Sequence, residues 1–147
     1  MRVLLQRVSA CRVAVDGATV GSIGPGLLAL VGVAGPDTKG VADSLAAKLA
    51  NLRIFSDSTG KMNRSVIDAG GGVMVVSQFT LIADLSRGRR PYFGEAAPPE
   101  HARMIIDHMV ESLESQGLTV ATGEFGAHMQ ISIDADGPVT ILLDSNT

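Results

Sequence analysis

The sequence predicts an α/β fold made of mostly short strands and two amphipathic helices. Three observations lead to this class. Apolar residues alternate in short runs bounded by Gly and Pro, two longer segments carry apolar residues at helical spacing, and no linker or low-complexity tract divides the chain. With 147 residues, 46% of them hydrophobic, the chain is long enough to bury a core without disulfides. We therefore expect one domain over residues 1–147.

The N-terminal part predicts a meander of strands. Apolar side chains occupy the odd positions of Met1–Val8, and Arg7 falls on the same face, where its charge needs a partner. A second strand at Val13–Val15 ends in the hairpin signal Asp16-Gly17. The run Leu27–Val33 is typical of a buried strand.

Two segments predict helices. The first spans roughly Lys39–Leu52, and the second begins at Pro98-Pro99-Glu100 and ends before Gly117. Between them, a Ser-, Asp- and Gly-rich loop over residues 56–72 precedes the strand Val73–Ser77. The apolar stripes of the two helices consist of Val41, Leu45, Leu49 and Leu52, and of Ala102, Ile105, Ile106, Met109, Val110 and Leu113.

The C-terminal part predicts a half-buried strand at Met129–Ile133 and a last strand at Val139–Leu143 beside it, with Gly137-Pro138 in the turn between them. This Gly-Pro pair precedes Val139-Thr140. Asp-Gly-Pro is a common turn, and only about 5% of X-Pro bonds in folded proteins are cis. A cis bond here would expose two successive carbonyl oxygens with no side chain between them and a ligand. Such a rigid surface can exclude ligands by its shape.

Composition limits the possible functions. The chain has 12 basic and 15 acidic residues and thus a net charge of -3. This charge disfavours binding to long nucleic acids by electrostatic attraction alone. Cys11 is the only cysteine, so no internal disulfide forms, and the sequence does not open like a secretory signal. The longest apolar run, residues 27–34, is too short to cross a bilayer. We expect a cytoplasmic protein that binds neither DNA nor membranes.

The run Ser77-Gln78-Phe79-Thr80-Leu81 places polar groups and an aromatic ring where a strand gives way to a loop. Strand alternation puts Ser77 with Phe79 on one face and Gln78 with Thr80 on the other. Free backbone amides there would stabilise the oxyanion of a carbonyl under attack, worth on the order of 3 kcal/mol per donor. The alternative is an ordinary strand end whose hydroxyls bond local carbonyls.

Other candidates are weaker. Cys11 has no neighbouring base and fits a packed thiol, while His101, His108 and His128 lie on polar faces and are expected to be solvated. A Ser77–His128–Asp136 triad lacks a nucleophile-elbow sequence. Gly70-Gly71-Gly72 lacks the Lys and helix of a nucleotide site, and no spacing suits a metal, so we expect no cofactor and no metal. The remaining candidates, Arg87, Arg89 and Arg90, form a solvated loop or steady RNA phosphates.

Taken together, the motifs resemble those of the bacterial D-aminoacyl-tRNA deacylase family over essentially the whole chain. The matching strings are Gln6-Arg7-Val8, Arg53-Ile54-Phe55-Ser56-Asp57, Gly60-Lys61-Met62-Asn63, Ser77-Gln78-Phe79-Thr80-Leu81, Arg89-Arg90-Pro91 and Gly137-Pro138-Val139-Thr140. The resemblance implies a single three-layer α/β/β domain and a homodimer. In that dimer, a cis Gly137-Pro138 of one subunit reaches into the pocket at Ser77–Thr80 of the other.

The activity that this resemblance implies is hydrolysis of the ester between a D-amino acid, or glycine, and the 3′-terminal adenosine of tRNA. An L side chain would collide with the carbonyls of Gly137 and Pro138, so specificity arises by rejection. The resemblance implies a catalytic group at Ser77, Gln78, Phe79 and Thr80, adenosine contact through the backbone of Phe125, and support of the Gly-Pro segment by Arg7 and Met129.

Two questions stay open at the sequence level. Thr80 acts either as nucleophile or beside water positioned by the RNA 2′-hydroxyl, and we favour the RNA-assisted route because no base lies near Thr80 in sequence. The family usually has Asn where this chain has Ala135, which leaves the anchoring of Gly137-Pro138 open. The alternatives to a deacylase are a non-catalytic RNA 3′-end binding module and, more weakly, a general serine esterase.

Overall fold

A computed structural model describes all residues from Met1 to Thr147. It has the expected mixed α/β class: six strands form one bent sheet, and two helices cover one of its faces. The strands are β1 Arg2–Val15, β2 Ala18–Ile23, β3 Gly26–Gly32, β4 Phe55–Ser56, β5 Met62–Arg64, β6 Gly72–Ser77, β7 Thr119–Thr122 and β8 Gln130–Asp144; the helices are α1 Lys39–Asn51, α2 Pro99–Ser115 and a 3₁₀ helix at Phe79–Ile82.

Strand β1 organises the sheet because both of its edges are paired. One edge pairs antiparallel with β3 and, further along, with β2, while the other edge pairs antiparallel with β8. Strands β3, β6 and β7 then continue the sheet in parallel. The sheet bends until β2 touches β7, where a Cβ on Gly21 would lie 2.4 Å from the carbonyl oxygen of Thr122. The result is a nearly closed sheet.

Two apolar cores separate three layers. The larger core lies between the helices and the sheet, and it includes Leu5 and Val31 from the strands and Leu49 and Ile105 from the helices. The smaller core lies on the other face of the sheet and consists of Val8, Cys11, Val13, Leu28, Met74 and Val76. Strands β3 and β6 contribute to both cores, which explains why their sequences read as continuous apolar runs.

The predicted helices are confirmed. Helix α1 ends one residue before the expected boundary, and the Thr38 hydroxyl accepts a hydrogen bond from the Val41 amide at its start. Helix α2 starts at Pro99 and ends before Gly117, which has a positive φ of 88°. Neither helix has the length and apolar content that crossing a membrane would take.

Three strand predictions need correction. The two expected N-terminal strands are one long strand, β1, and the loop over residues 56–72 contains the short hairpin β4–β5. The two expected C-terminal strands are also one strand, β8, which pairs with β1 on both sides of Gly137-Pro138. The chain therefore does not reverse at this pair. Residues 136–139 bulge out of the ladder between the Val8–Ala135 and Gln6–Thr140 pairs.

The parallel pairing of β3 and β6 depends on Gly26. A Cβ at this position would lie 1.9 Å from the carbonyl oxygen of Gly72, in the backbone of the neighbouring strand. We therefore expect Gly26→Ala to lower the free energy of unfolding by about 2 kcal/mol or more, because the two backbones must move apart. Chemical denaturation measures this change, with Gly24→Ala as control, since nothing lies within 4 Å of a Cβ there. Equal stability of the two variants would contradict the prediction.

Candidate active site

A cavity of about 530 Å³ opens where β6 ends, beside the start of α2. Nine of its 13 lining residues are hydrophobic, and none has a titratable side chain. The lining consists of Val31, Val33, Ser77, Phe79, Phe93, Ala96, Ala97, Pro98, Pro99, Ala102, Ile106, Phe125 and Gly126. Any chemistry in this cavity therefore has to come from backbone groups, hydroxyls or the ligand.

The end of β6 is fixed against β3. The amide of Gln78 donates to the carbonyl oxygen of Val31 at 2.7 Å, and the chain then turns into the 3₁₀ helix. This helix packs directly against the end of β3, because a Cβ on Gly32 would lie 2.9 Å from the Cβ of Leu81 and 3.0 Å from the carbonyl oxygen of Gln78. Glycine at position 32 thus permits the close approach that sets the cavity's edge.

Side chains of the first motif divide into the two expected pairs. Ser77 and Phe79 line the cavity, whereas the amide group of Gln78 donates to the Thr80 hydroxyl. The backbone that produces this division is a strand end followed by a 3₁₀ turn rather than a regular strand. The Thr80 side chain is therefore hydrogen-bonded to Gln78, and Thr80 is not among the residues that line the cavity.

The expectation that the backbone amides of this motif are free is wrong for Gln78, because its amide completes the ladder with β3. The amides of Phe79 and Thr80 open the 3₁₀ helix, where no earlier turn supplies an acceptor. The helix's first backbone bond at this end runs from the Leu81 amide to the Gln78 carbonyl. Phe79 and Thr80 therefore supply the amides that can face a ligand.

Aromatic rings concentrate at the cavity. The rings of Phe79 and Phe93 meet edge to face with 5.0 Å between centroids, and the guanidinium of Arg103 lies 4.9 Å from the centre of the Phe125 ring. Phe93 and Arg103 were missed from the sequence. The sequence feature that could have pointed to Phe93 is the scarcity of aromatic residues, because three of the four Phe residues of the chain line this one cavity.

The second motif lies outside the cavity of its own chain. The bond between Gly137 and Pro138 is cis, and neither residue belongs to the cavity lining. The expected partner of Arg7 is present: its Nη1 donates to the Ile54 carbonyl at 2.6 Å and its Nε to the Asp136 carbonyl at 3.2 Å. The Asp136 carboxylate lies 3.3 Å from the same Nε. Arg7 thus ties the bulge to the segment before β4.

The remaining site residues from the resemblance fall into two places. Phe125 lines the cavity together with Ser77 and Phe79. Met129 packs against the smaller core, and a Cβ on Gly123 would lie 2.7 Å from its sulfur. The chain thus brings Ser77, Phe79 and Phe125 together and leaves Arg7, Met129, Gly137 and Pro138 outside the cavity.

The Ser77–His128–Asp136 triad is not assembled. The Asp136 carboxylate pairs with Arg7, and no hydrogen bond joins Ser77 to His128. Two of the three histidines make hydrogen bonds where α2 packs near α1. His101 Nε2 lies 2.8 Å from the Asp37 carbonyl oxygen, and His108 Nε2 lies 2.9 Å from the Asp43 carboxylate.

The prediction for Cys11 can be compared with the structure. Cys11 is buried in the smaller core, and burial raises the pKa of its thiol, as expected for a packed cysteine. No group of three or more His, Cys, Asp or Glu side chains is arranged to hold a metal ion.

The far end of the 3₁₀ helix is held by Arg2. Its Nη1 donates to the Leu81 carbonyl at 2.8 Å, and its Nε lies 3.0 Å from the Asp144 carboxylate. A hydrogen bond from the Asn146 amide and a second one from Arg2 hold the pKa of Asp144 below its usual range. Asp144 therefore remains ionised and keeps Arg2 in position beside the 3₁₀ helix.

Comparisons with known proteins point to one family. A family model described as D-Tyr-tRNA(Tyr) deacylase matches residues 4–144, a range that includes both motifs. The D-aminoacyl-tRNA deacylase of Thermomicrobium roseum is 59% identical over 145 residues, covering 99% of this chain and 94% of that protein. The one from Deinococcus deserti is 56% identical over 144 residues, covering 98% and 99%.

Solved structures agree with the fold. The structure of the c-Myc DNA Unwinding Element Binding Protein superimposes with a TM-score of 0.92 at 37% identity and covers 98% of both chains. A structure described as that of a probable eukaryotic D-amino acid tRNA deacylase has a TM-score of 0.85 and covers 97% of both chains. At 16% identity, this second likeness concerns the fold alone.

The Arg2–Asp144 contact gives a pH-dependent prediction. The pKa of Asp144 in the folded protein lies below its usual value of about 3.9. Ionised Asp144 therefore stabilises the folded protein fully above the usual pKa, and this stabilisation is lost as the pH falls through the folded-state pKa. Asp144→Asn should lower the free energy of unfolding at pH 7, and the gap to the unmodified protein should close towards pH 3. Denaturant titrations across this range measure the gap. Glu114→Gln serves as control, since that side chain makes no hydrogen bond, and a gap independent of pH would contradict the prediction.

Proposed function

We propose that this chain, which belongs to the D-Tyr-tRNA(Tyr) deacylase family, hydrolyses the ester between a D-amino acid and the 3′-terminal adenosine of tRNA. Family membership makes it an enzyme acting on aminoacyl-tRNA, in line with the shared name of its relatives. The observation that carries the proposed mechanism is an apolar cavity without titratable side chains, whose lining includes Ser77 and Phe79 at the start of the 3₁₀ helix.

The reacting carbonyl would sit at the edge of the cavity beside the 3₁₀ helix. Attack by water on the carbonyl carbon places negative charge on the carbonyl oxygen, and the amides of Phe79 and Thr80 would donate to it. Each such donor is worth on the order of 3 kcal/mol of transition-state stabilisation. The hydroxyl of Ser77, which lines the cavity, is close enough in the chain to add a further donor. Gln78 would act indirectly by holding the Thr80 hydroxyl.

The proton of the attacking water needs an acceptor. No Asp, Glu or His lines the cavity, so we assign this role to the 2′-hydroxyl of the terminal adenosine, which both donates and accepts hydrogen bonds. The water oxygen bonds to the carbonyl carbon while its proton passes to the 2′-hydroxyl. The bond from the carbonyl carbon to the 3′ oxygen then breaks, and the 2′-hydroxyl passes its own proton to the 3′ oxygen, so that both hydroxyls end neutral. The products are the free D-amino acid and tRNA with an intact 3′ end.

The adenosine itself would lie near Phe125. This residue and Gly126 line the cavity on a loop between β7 and β8, where backbone groups are exposed to a ligand. The stacked Arg103 guanidinium holds the Phe125 ring from its other side. Recognition through backbone groups suits an enzyme that accepts many amino acids on a constant nucleotide.

Selection against L-amino acids would come from Gly137 and Pro138 of a second subunit. In the structure, these residues bulge from β8 and do not line the cavity of their own chain, so a second copy has to supply them. Exposed apolar side chains on β8, Ile133 and Leu142, support a contact between copies along this strand. A two-fold contact would complete both cavities equally.

The proposed selection acts by collision with main-chain oxygens. Gly137 has a φ of 128°, a conformation that L side chains rarely adopt, and it leaves no Cβ between the backbone and a ligand. An L side chain would meet the two carbonyl oxygens, whereas a D side chain points away. Glycine esters would also be accepted, because glycine has no side chain to be rejected.

Arg7 would keep this wedge in place. Its bonds to the Asp136 and Ile54 carbonyls fix the start of the bulge, and Ala135 cannot contribute a side-chain hydrogen bond there. We expect the unmodified protein to hydrolyse D-aminoacyl-tRNA and to spare the L-ester. Arg7→Met should lower the ratio of D to L kcat/KM by roughly tenfold, which corresponds to about 1.4 kcal/mol.

Parallel assays with matched D- and L-aminoacyl-tRNA measure this ratio. Arg12→Met serves as control, because Arg12 is exposed and its side chain bonds only Thr19. A ratio unchanged by Arg7→Met would refute the role of Arg7. A D-ester that lasts as long with the protein as without it would refute the enzyme itself and leave an RNA 3′-end binding module.

The RNA-assisted route gives a second prediction. A D-aminoacyl-tRNA ending in 2′-deoxyadenosine should be hydrolysed about 10²- to 10⁴-fold more slowly, since its proton acceptor is missing. Thr80→Ala keeps the backbone amide and should cost no more than about tenfold in kcat. Single-turnover rates on both substrates measure these effects. The reverse pattern, with a fast deoxy substrate and an inactive Thr80→Ala, would identify Thr80 as nucleophile instead.

A further inference from the structure

We propose that the loop from Asp84 to Tyr92, called here the basic loop, binds the single-stranded 3′ tail of tRNA next to the terminal adenosine. The loop would contact the phosphates with Arg87, Arg89 and Arg90 and the bases with its exposed apolar side chains. This inference rests on the proposed function, because it concerns how the cavity obtains its substrate.

The first support is charge. The chain is acidic overall, with 15 acidic against 12 basic residues, yet three of the basic residues fall within four positions of this loop. None of the three arginines takes part in an ion pair in the structure. The loop's only acidic group, Asp84, accepts a hydrogen bond from the Ser86 amide at 2.9 Å, and this contact fixes the backbone at the start of the loop. The arginines are therefore free to meet an external anion.

The second support is position. Two backbone hydrogen bonds between Asp84 and Tyr92 close the base of the loop. One end of the loop continues from the 3₁₀ helix that carries Thr80, and the other leads into Phe93, which lines the cavity and contacts Phe79. The arginines are at most five residues from this base, so they lie within about 18 Å of it even in an extended chain. An adenosine held in the cavity would therefore place the nucleotides before it within reach of the loop.

The third support is the surface of the loop. All eight residues from Leu85 to Tyr92 are exposed, with Leu85 at 68% and Tyr92 at 59% exposure. Single-stranded RNA is bound by positive charge combined with aromatic or guanidinium surfaces on which bases stack. A long duplex would need a broad basic surface, which a net charge of -3 does not provide. The loop thus fits a short unpaired tail better than a duplex or an acidic protein.

The test compares two substrates that share the scissile ester. One is D-aminoacyl-tRNA, and the other is the D-aminoacyl ester of adenosine alone, which has no phosphates. The variant Arg87→Gln/Arg89→Gln/Arg90→Gln should lose roughly tenfold or more in kcat/KM on the tRNA and stay within about twofold on the adenosine ester. Its charge-matched control, Arg12→Gln/Lys48→Gln/Lys61→Gln, removes three exposed cations elsewhere and should lose little on either substrate.

Salt provides an independent readout. Three phosphate contacts on single-stranded RNA predict that kcat/KM of the unmodified protein on tRNA falls roughly 20-fold between 50 and 200 mM salt, while the loop variant changes little. Equal losses on both substrates, an equal loss in the control variant, or a salt dependence unchanged by the loop variant would each overturn the inference. An unmodified protein that hydrolyses neither substrate would instead overturn the proposed function.

Discussion

The pairing of β1 along both edges is the constraint on which the rest of the structure depends. Residues 2–8 of this strand pair with β3 on one edge and β8 on the other, so β8 cannot slide without breaking the ladder. Residues 136–139 lie opposite Arg7 alone, so the three extra residues of β8 have to leave the sheet as a bulge. That bulge carries Gly137 and Pro138, and Arg7, on the strand directly opposite, is placed to bind its first carbonyl.

The same sheet determines where the cavity lies. Parallel pairing of β6 with β3 ends at the bond from the Gln78 amide to Val31, and Gly32 allows the following turn to pack against β3. Ser77 and Phe79 consequently face the cavity while Gln78 and Thr80 bond to each other. The site is thus built from the end of one strand, and the wedge proposed to complete it is built from a bulge in another.

The sequence predicted what is local and missed what depends on partners distant in the chain. Both helices follow from periodicity, the buried strands β3 and β6 follow from their continuous apolar runs, and the misplaced charge of Arg7 correctly indicated a partner. A Gly-Pro pair favours turns and bulges alike, so only the pairing with β1 decides that β8 continues. Likewise, the Gln78 amide is occupied because of Val31, and His108 is bonded because α2 packs on α1. No local pattern contains these contacts.

The proposed arrangement would separate three tasks that enzymes often combine in one set of side chains. The cavity has an apolar lining with no titratable group, so the proposed reaction would depend on backbone amides and on a hydroxyl that the substrate brings with it. L-amino acids would be rejected by main-chain carbonyl oxygens, which stay the same whichever amino acid the tRNA carries. The RNA would be attracted by charges outside the cavity, where the arginines cannot hydrogen-bond the oxygens of the scissile ester or disturb the apolar lining. Such a division would explain how one small site could accept many amino acids and still refuse their mirror images.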